Sequence, residues 1–313
     1  MAAPVYLFTG FLDSGKTTLI KDTMNDKQFM EGAGRTLILC FEQGETGYDE
    51  KFLDEHDAFI EFFDASTQLT VEKMRELDTI YHPGQVFIEY NGSESISETL
   101  LRGMPDFWPL VEILTTVDAT TFGIYVNNMR SLMFEQIRYS DVVICNRCTE
   151  DTSAMQLRGN IKAMNKFAQI YYEGEFGAPA NLKGGLLPFD KNAPVLDIKD
   201  DDYGLWYMDA LENPDSYNDK KIILRGMYAD NIKGYKQSFV LGRRAMVCCE
   251  ADTSLCGLTV TGVKIWEMQM GMWVEVEGTL KTMPVENGGK ALVLYAEKIR
   301  SYKAPENPYV YFN

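Results

Sequence analysis

The chain has 313 residues, 45% hydrophobic and 24% charged, an ordinary globular balance at a length that favours two domains. Its net charge of −16 argues against sequence-independent binding to nucleic acid, which needs clustered cations, and against docking on anionic lipid. No window approaches the roughly 18 apolar residues of a membrane span, so we expect a cytoplasmic protein whose six cysteines are reduced.

The first predicted element is a short buried strand, Val5–Phe8, which leads into a glycine-rich segment that fits G-x-x-x-x-G-K-T at every fixed position. A helix-compatible stretch, Thr17–Met24, follows it, a context that an accidental glycine-rich turn would lack. In such a loop backbone amides surround phosphate oxygens, the lysine reaches the β- and γ-phosphates, and the threonine hydroxyl holds Mg²⁺. The sequence therefore predicts a nucleoside triphosphate site formed by Gly10, Asp13, Ser14, Gly15, Lys16, Thr17 and Thr18.

Up to about residue 175, short β-like runs alternate with helical stretches, the pattern of an α/β P-loop NTPase with a mostly parallel sheet. Further strands are predicted at 36–41, 58–63, 85–89, 112–117, 141–145 and 168–171, and helices at 70–81, 93–101, 131–139 and 153–167. Right-handed crossovers between these strands would place the phosphate-binding loop at the carboxyl edge of the sheet.

A loop with two glycines and three carboxylates, Glu42–Asp49, follows the second strand. This composition suits a switch loop that changes shape with metal and γ-phosphate, and Asp49 or Glu42 would then sense the γ-phosphate. An ordinary exposed turn has the same composition, and the pattern alone does not separate the two interpretations.

The buried run Val86–Ile88 ends in Glu89, with Gly92 three residues later. A carboxylate at the tip of a buried strand can hold the Mg²⁺ shell or orient a water, and a glycine lets its backbone N–H approach the γ-phosphate. The alternative is that Glu89 begins a solvated turn. We predict Glu89 to act with Lys16 and Thr17 in hydrolysis.

A base-recognition segment, Asn146-Arg147-Cys148-Thr149, follows the strand predicted at 141–145. Many GTPases carry Asn-Lys-x-Asp there, and the aspartate accepts two hydrogen bonds from guanine. Arg147 can stack on a base at least as well as lysine. Thr149 cannot supply the charged acceptor, and Glu150 could replace it only in an altered loop. The segment predicts nucleotide binding and leaves the choice between GTP and ATP open.

From residue 176 to 219, Gly, Pro, Asn and Asp accumulate, which predicts a linker with one short helix near 205–211. Beyond it, alternating apolar residues predict strands at 222–227, 238–249, 258–263, 273–279 and 292–299. Strands without substantial helices favour a small all-β barrel, OB-like as the first choice, over a sandwich. The expected domains are therefore 1–175, a linker at 176–219, and 220–313.

Four residues of the β domain, Cys248, Cys249, Asp252 and Cys256, lie within nine positions, a density that suits a thiolate site for Zn²⁺. Adjacent strand residues face opposite sides, so a workable set takes one of the first two cysteines with Cys256 and Asp252, and Glu250 as a further ligand. The alternative is that these cysteines are buried in a barrel core.

Taken together, the motifs of the first 175 residues resemble the CobW-type P-loop GTPases, a family that includes metal-insertion chaperones. The matching segments are Gly10–Thr18, Glu42–Asp49, Glu89 with Gly92, Val117-Asp118-Ala119, Glu135-Gln136-Ile137 with Ser140-Asp141, Asn146-Arg147, and Asn165 with Ala168. The resemblance implies Mg²⁺-dependent GTP hydrolysis coupled to delivery of a metal, often zinc, to a client protein. The family's Cys-x-Cys-Cys motif is missing, because the segment Phe59–Thr70 has no cysteine.

The tail is similar to a different family, the soluble YcgQ-type domain, which is usually attached to a bacterial membrane protein paired with a predicted permease. The similar segments are Leu241–Asp252, Gly257-Leu258, Trp273–Gly278 and Asn307–Tyr311. The combined prediction is a nucleoside triphosphatase whose β domain binds a metal, a client or a permease under nucleotide control. The alternative is a nucleotide-gated regulatory or scaffold protein with negligible turnover.

Overall fold

The computed structural model of the protein describes residues 2–44, 46–94, 96, 100–101, 103–174, 180, 187–232, 237–249, 252–262, 268–285, 289–310 and 312, without the side chains of Cys248 and Cys249. Contacts within the chain divide it into two compact units. Unit 1 comprises Met1–Thr152 and Met164–Lys183, and unit 2 comprises Ser153–Ala163 and Gly184–Asn313. Glu45 of the predicted switch loop, Glu250, and positions 95 and 97–99 of the helix expected at 93–101 lie outside the described residues.

Unit 1 is built on a seven-stranded sheet in which every pairing is parallel. Its strands are β1 (Val5–Thr9), β2 (Thr36–Cys40), β3 (Ala58–Phe62), β4 (Gln85–Glu89), β5 (Leu110–Asp118), β6 (Val142–Asn146) and β7 (Gln169–Tyr172), in the order β3-β2-β4-β1-β5-β6-β7. Its helices are α1 (Lys16–Asn25), α2 (Glu50–Glu55), α3 (Val71–Tyr81), α4 (Phe122–Asn128) and α5 (Arg130–Ile137), with a 3-10 turn at Ser66–Gln68. The predicted α/β fold is confirmed.

The central strands of this sheet are buried along almost their whole length, as expected for parallel strands with both faces covered. Because the strands run in parallel, their carboxyl ends meet at one edge. The register places Phe8 of β1 and Cys40 of β2 beside Glu89 of β4, and Asp118 of β5 beside Asn146 of β6. The polar strand ends that the sequence singled out therefore share one edge of the sheet.

Unit 2 is mostly β-structure. Its elements are α6 (Ala154–Met164, whose last residue falls in unit 1), β8 (Leu196–Asp197), α7 (Tyr203–Glu212), a 3-10 turn (Pro214–Tyr217), β9 (Lys221–Asn231), β10 (Ser238–Cys249), β11 (Asp252–Thr261), β12 (Trp273–Pro284), β13 (Lys290–Ser301) and β14 (Tyr309–Val310). Strands β9-β10-β11-β13-β12 form a ring of pairings that closes between β12 and β9. All pairings in the ring are antiparallel except β11 with β13.

The segment expected to be a linker contributes to the core of unit 2. Tyr203, Trp206 and Ala210 recur at helical spacing on one face of α7, and all three are buried in the barrel's core cluster. Tyr217 of the following 3-10 turn is fully buried in the same cluster. Composition alone suggested a linker, because turn-forming residues outnumber these few aromatic anchors.

A buried arginine joins this segment to the barrel. Arg243 of β10 is only 2% exposed. Its guanidinium donates to the backbone oxygens of Arg225 (2.8 Å) and Asp200 (3.2 Å) and forms an ion pair with the Asp200 carboxylate. The rings of Tyr203 and Trp273 lie 4.8 and 5.2 Å from the guanidinium carbon. The charge is thus fully paired inside the unit.

Within the part of the chain that the structure describes, no helix combines the length and apolar character needed to cross a membrane.

Candidate functional site

The phosphate loop (residues 10–17) joins β1 to α1 through backbone conformations that require glycine. Gly10 and Gly15 have φ angles of 135° and 101°, which L-residues with side chains rarely adopt. A Cβ on Gly10 would lie 2.4 Å from the Thr116 carbonyl oxygen, and one on Gly15 would lie 2.5 Å from the Asn146 amide nitrogen. The two glycines therefore allow the loop to lie tightly against β5 and the end of β6.

Lys16 is 4% exposed and directs its ammonium group back across the phosphate loop. Nζ donates to the carbonyl oxygens of Gly10 (2.9 Å) and Phe11 (2.8 Å) and to the Glu42 carboxylate (2.5 Å). The two carbonyl contacts fix the lysine over the loop. The third contact brings the first residue of the predicted switch loop to the same ammonium group, so Glu42 and Lys16 form a partly buried ion pair.

Glu89 lies at the tip of β4 and is 2% exposed. Its carboxylate accepts hydrogen bonds from the Thr17 hydroxyl (2.5 Å) and the Tyr48 hydroxyl (2.7 Å). Burial raises the pKa of Glu89, and the two hydroxyl donors and the Lys16 charge oppose that rise without cancelling it. Burial also raises the pKa of Tyr48, with the Glu89 charge adding to the effect. Thr17 and Glu89 are both predicted at this site from the sequence, whereas no sequence pattern pointed to Tyr48.

The backbone at Gly92 packs directly on the phosphate loop. A Cβ there would lie 2.1 Å from the Gly10 carbonyl oxygen and 2.9 Å from the Phe11 nitrogen. Gln136 of α5 braces this contact, because its side-chain amide donates to the Gly92 carbonyl (2.6 Å) and accepts from the Thr9 hydroxyl. Gln136 is 1% exposed, and its place in a family-like segment was the only sequence signal for it.

The end of β6 is tied to the phosphate loop by two side chains. The Asn146 amide donates to the Ser14 carbonyl (2.6 Å), and the Arg147 guanidinium donates to the Asp13 carbonyl (2.9 Å). Arg147 also pairs with Asp118 at 2.5 Å. Burial alone would raise the pKa of Asp118, but hydrogen bonds from Thr120 and from Arg147 outweigh it and lower that pKa.

The base-recognition positions differ in their surroundings. Asn146 Oδ1 is buried without a hydrogen-bond partner. Thr149 is exposed, and its backbone N–H is taken by the Thr152 hydroxyl at 2.8 Å in a local turn. The Cys148 thiol is buried and donates to the Cys145 carbonyl at 3.2 Å. No charged acceptor occupies the position of the family aspartate, so the residues that select guanine in the resembled motif are only partly present.

The phosphate cavity, with a volume of about 80 Å³, opens above the loop. It is lined by Leu12, Asp13, Gly15, Lys16, Thr17, Thr18, Glu42, Gly44, Thr46, Glu89 and Arg147. A second cavity of about 290 Å³ lies on the other side of the loop, against β5, α4 and α5. Leu12, Asp13 and Arg147 line both cavities.

Asp49, the alternative γ-phosphate sensor, has a different role in the structure. It is the N-cap of α2, where its carboxylate accepts a hydrogen bond from the Phe52 amide at 2.9 Å. Its side chain is 68% exposed and does not line the phosphate cavity. Of the two sensor candidates, only Glu42 reaches that cavity.

The geometry fits a nucleotide with Mg²⁺. The glycine-dependent loop leaves its backbone facing a cavity with one ammonium group, as polyphosphate binding requires. The Thr17 hydroxyl and the Glu89 carboxylate are hard oxygen ligands of the kind that Mg²⁺ takes, and their oxygens lie 2.5 Å apart. Lys16, Thr17 and Glu89 would hold phosphate and metal on the same wall of the cavity.

The proposed zinc ligands are not brought together in the described residues. Asp252 and Cys256 both lie on β11, four residues apart, so their Cα atoms are separated by about 13 Å along the strand. One ion cannot bind both. Burial raises the pKa of the Cys256 thiol to about 12. The side chains of Cys248 and Cys249 lie outside the described residues, and elsewhere in the described chain no three His, Cys, Asp or Glu residues form a metal site.

Two families match the chain along its length. The CobW/HypB/UreG nucleotide-binding domain matches residues 4–172, which is more than half of the chain. The DUF1980 C-terminal domain matches residues 184–312. A search of curated proteins gave no match.

Three solved structures show weak likeness. A Zn(II)-bound triple mutant of the YjiA GTPase is 14% identical, with a TM-score of 0.45 over 94% of this chain and 89% of that one. The Zn(II)-bound YjiA GTPase from E. coli is 14% identical, with a TM-score of 0.42 over 95% and 90%. The hydrogenase maturation factor HypB from Archaeoglobus fulgidus is 13% identical, with a TM-score of 0.40 over 55% and 81%.

Proposed function

The chain belongs to the CobW/HypB/UreG family through its nucleotide-binding domain, and from that premise we propose that it binds and slowly hydrolyses a nucleoside triphosphate, GTP in the first place, with Mg²⁺ in the cytosol. The observation that carries the proposal is the convergence of Lys16, Thr17 and Glu89 on one cavity at the carboxyl edge of a parallel sheet. Hydrolysis here depends on positioning and charge neutralisation rather than on a covalent intermediate.

Each group has a distinct task in this scheme. Lys16 and the backbone of the phosphate loop hold the phosphates and neutralise charge on the transferred group. Thr17 and Glu89 would hold the metal ion, which would supply further charge neutralisation when bound. Gly92 keeps the backbone after β4 in contact with the loop, and Asn146 with Arg147 fixes the loop from the other side.

The Lys16–Glu42 contact supports a switching role for the loop at 42–49. Glu42 and a polyphosphate are both anionic and would compete for the same ammonium group. Displacement of Glu42 would move the segment that also carries Tyr48, whose hydroxyl holds Glu89. Phosphate binding at Lys16 would thus be communicated to the metal-binding carboxylate through one short loop.

Delivery of a metal to a client protein is the part of this proposal that rests on family membership alone. Unit 2, which we take to be a small OB-like barrel because its ring of strands closes, would provide the contacts to a client or a permease. The separation of Asp252 from Cys256 removes the zinc set that the sequence suggested on β11, so no zinc step is assigned to it.

The test is calorimetric titration of the full chain with GTP and with ATP, each with Mg²⁺, comparing the natural protein with Lys16→Ala. We expect the substitution to weaken nucleotide binding by about a hundredfold or more, because it removes a buried cation that pairs with phosphate. Release of phosphate measured on the natural protein would separate a hydrolase from a regulatory protein that only binds.

Lys27→Ala is the matched control, because it removes the same charge from an exposed position. Its affinity for nucleotide should equal that of the natural chain. Unchanged affinity in Lys16→Ala would contradict the assignment of the site, and binding without phosphate release would remove the hydrolytic part alone.

A further inference from the structure

Three family-like segments of unit 1 have no task in the scheme above. They are Glu135-Gln136-Ile137, Ser140-Asp141, and Asn165 with Ala168. The first two lie at the end of α5 and directly after it, and the third follows the end of α6. Hydrogen bonds between these segments fix the part of α5 that carries Gln136.

The end of α5 is held from two directions. The Asn165 amide donates to the carbonyl oxygens of Ile137 (3.0 Å) and Ser140 (2.8 Å). The Gln136 carbonyl accepts from the Thr115 hydroxyl of β5 (3.0 Å) and from the Ser140 hydroxyl (2.8 Å). Because Thr115 and Ser140 are buried, water does not compete for these bonds. The backbone of Gln136 is therefore fixed relative to the central sheet.

The Gln136 side chain bridges the two segments that carry the proposed metal ligands. Its amide nitrogen donates to the Gly92 carbonyl (2.6 Å), and its amide oxygen accepts from the Thr9 hydroxyl. Thr9 directly precedes the phosphate loop, which provides Thr17. Gly92 lies three residues beyond Glu89 at the end of β4. One buried amide thus spans the two segments whose hydroxyl and carboxylate would share the metal ion.

The same contacts exclude a direct role for Gln136 in catalysis. Some nucleoside triphosphatases use a glutamine to orient the attacking water. The Gln136 side chain is 1% exposed, and both its nitrogen and its oxygen are engaged. It does not line the phosphate cavity and lines the second cavity instead, on the other side of the loop. Any effect of Gln136 on the nucleotide must pass through the residues that it holds.

We propose that Gln136 is a positioning residue that sets the separation between the phosphate loop and the segment after β4, and thereby the strength with which Mg²⁺ and a triphosphate bind together. The inference rests on the proposed nucleotide site. The metal ion would be held jointly by groups from both segments, whereas Lys16 and the loop backbone belong to one segment alone. Loosening the bridge should weaken the metal-dependent part of nucleotide binding and spare the metal-independent part.

The test is calorimetric titration of the full chain with the slowly hydrolysed triphosphates GTPγS and ATPγS, each in Mg²⁺ and in EDTA. The metal dependence is the ratio of the dissociation constant in EDTA to that in Mg²⁺. Gln136→Leu keeps a similar volume and removes both side-chain hydrogen bonds. We expect this ratio to fall about tenfold, as the loss of buried hydrogen bonds implies, and the dissociation constant in EDTA to change by less than about twofold.

A second variant removes one half of the bridge. Thr9→Val has nearly the same shape as the natural residue and lacks only the hydroxyl that donates to Gln136, so it serves if Gln136→Leu does not fold. Its ratio should fall about threefold, because the bond to Gly92 remains. Gln28→Leu is the matched control, since it makes the same substitution at an exposed position of unit 1 and should leave the ratio unchanged.

The outcomes separate this inference from the proposed function. An unchanged ratio in both variants, with normal nucleotide binding by the natural protein, would overturn the positioning role alone. Equal weakening in Mg²⁺ and in EDTA would overturn it too, because Gln136 would then serve only the folding of the loop. Absence of nucleotide binding by the natural protein would overturn the proposed function, and the positioning role with it.

Discussion

The carboxyl edge of unit 1 and the barrel core of unit 2 both bury charge, but they compensate it differently. Glu89 and Arg243 are each 2% exposed. Glu89 is held by two neutral hydroxyls, and burial still raises its pKa. Arg243 has a carboxylate partner, two backbone acceptors and two aromatic rings. The burial of the Glu89 carboxylate is therefore only partly compensated, whereas the burial of the Arg243 guanidinium is fully compensated.

This difference indicates which buried groups serve the fold and which serve a ligand. A fully compensated charge fixes one packing arrangement, whereas an undercompensated group is destabilising until something binds to it. Among the described residues, the buried side-chain atoms without a partner are Asn146 Oδ1 and Trp206 Nε1. The first lies beside the phosphate loop, at a proposed binding site, and the second lies in the hydrophobic core of unit 2.

The largest effect is expected from Asp200→Asn, which tests whether the buried Arg243 charge depends on its counter-ion. The substitution keeps the shape of the side chain but leaves the Arg243 charge buried without its counter-ion. We expect the free energy of unfolding of unit 2 to fall by about 3 kcal/mol, and nucleotide affinity in unit 1 to be unchanged. Urea unfolding followed by tryptophan fluorescence, together with nucleotide calorimetry, measures the two effects.

Asp201→Asn is the matched control, because Asp201 is the exposed neighbour in the same acidic run. It should change the free energy of unfolding by no more than about 0.5 kcal/mol. Equal effects of the two substitutions would show that the Arg243 pair is not what joins residues 187–219 to the barrel.

Two glycine substitutions test the carboxyl edge of the sheet in unit 1. In Gly92→Ala the new Cβ would lie 2.1 Å from the Gly10 carbonyl, and backbone atoms cannot move away as a flexible side chain can. We expect the phosphate loop to shift and nucleotide binding to weaken by about 2 kcal/mol, roughly thirtyfold. Calorimetric titration with nucleotide and Mg²⁺ measures the change.

Gly123→Ala provides the comparison within the same unit. Gly123 lies in helix α4, and no atom lies within 4 Å of the Cβ that alanine would add. This variant should keep its nucleotide affinity and gain up to about 1 kcal/mol of stability, since alanine is the better helix former. Unchanged nucleotide affinity in Gly92→Ala would show that the tight contact between Gly92 and the phosphate loop is not required for nucleotide binding.

Much of unit 1 could be predicted from sequence because its signals are local. Each strand is a short apolar run, and β4 was predicted with the bounds that it has, Gln85–Glu89. The phosphate loop is a contiguous motif, and parallel strands bring Glu89 and Asn146 to the same edge without any knowledge of side-chain contacts. Local pattern and topology together therefore bring the residues of the proposed phosphate site to one edge of the sheet.

What the sequence could not reveal depends on contacts between distant positions. Tyr48 reaches Glu89 across 41 residues, and nothing in its own segment specifies that partner. Asp49 looked equivalent to Glu42 in composition, yet the local helix start at Glu50 makes it a cap. The packing of α7 on the barrel was not predicted, because turn-forming residues dominate the composition of this segment. Its few buried aromatic residues nevertheless determine how the segment packs.

The smallest expected effect concerns the pH dependence of the nucleotide-free protein. Burial raises the pKa of Glu89, so the folded protein binds this proton more tightly than the unfolded chain does. The carboxyl group therefore contributes stability below its unfolded pKa, and that contribution is lost as the pH rises through its raised folded pKa. We expect the free energy of unfolding of the natural protein to fall relative to Glu89→Gln from about pH 4 upward. Urea titrations at several pH values measure this difference.

Glu31→Gln serves as the control, because Glu31 is exposed and its replacement should follow the natural protein at every pH. The difference for Glu89→Gln should be small, since Thr17 and Tyr48 already offset part of the cost of burial. The opposite sign, with the natural protein gaining on Glu89→Gln as the pH rises, would mean that the carboxylate is already compensated without a metal. Glu89 would then be a fully compensated buried charge like Arg243. The degree of compensation would no longer distinguish the proposed metal-binding carboxylate from a structural ion pair.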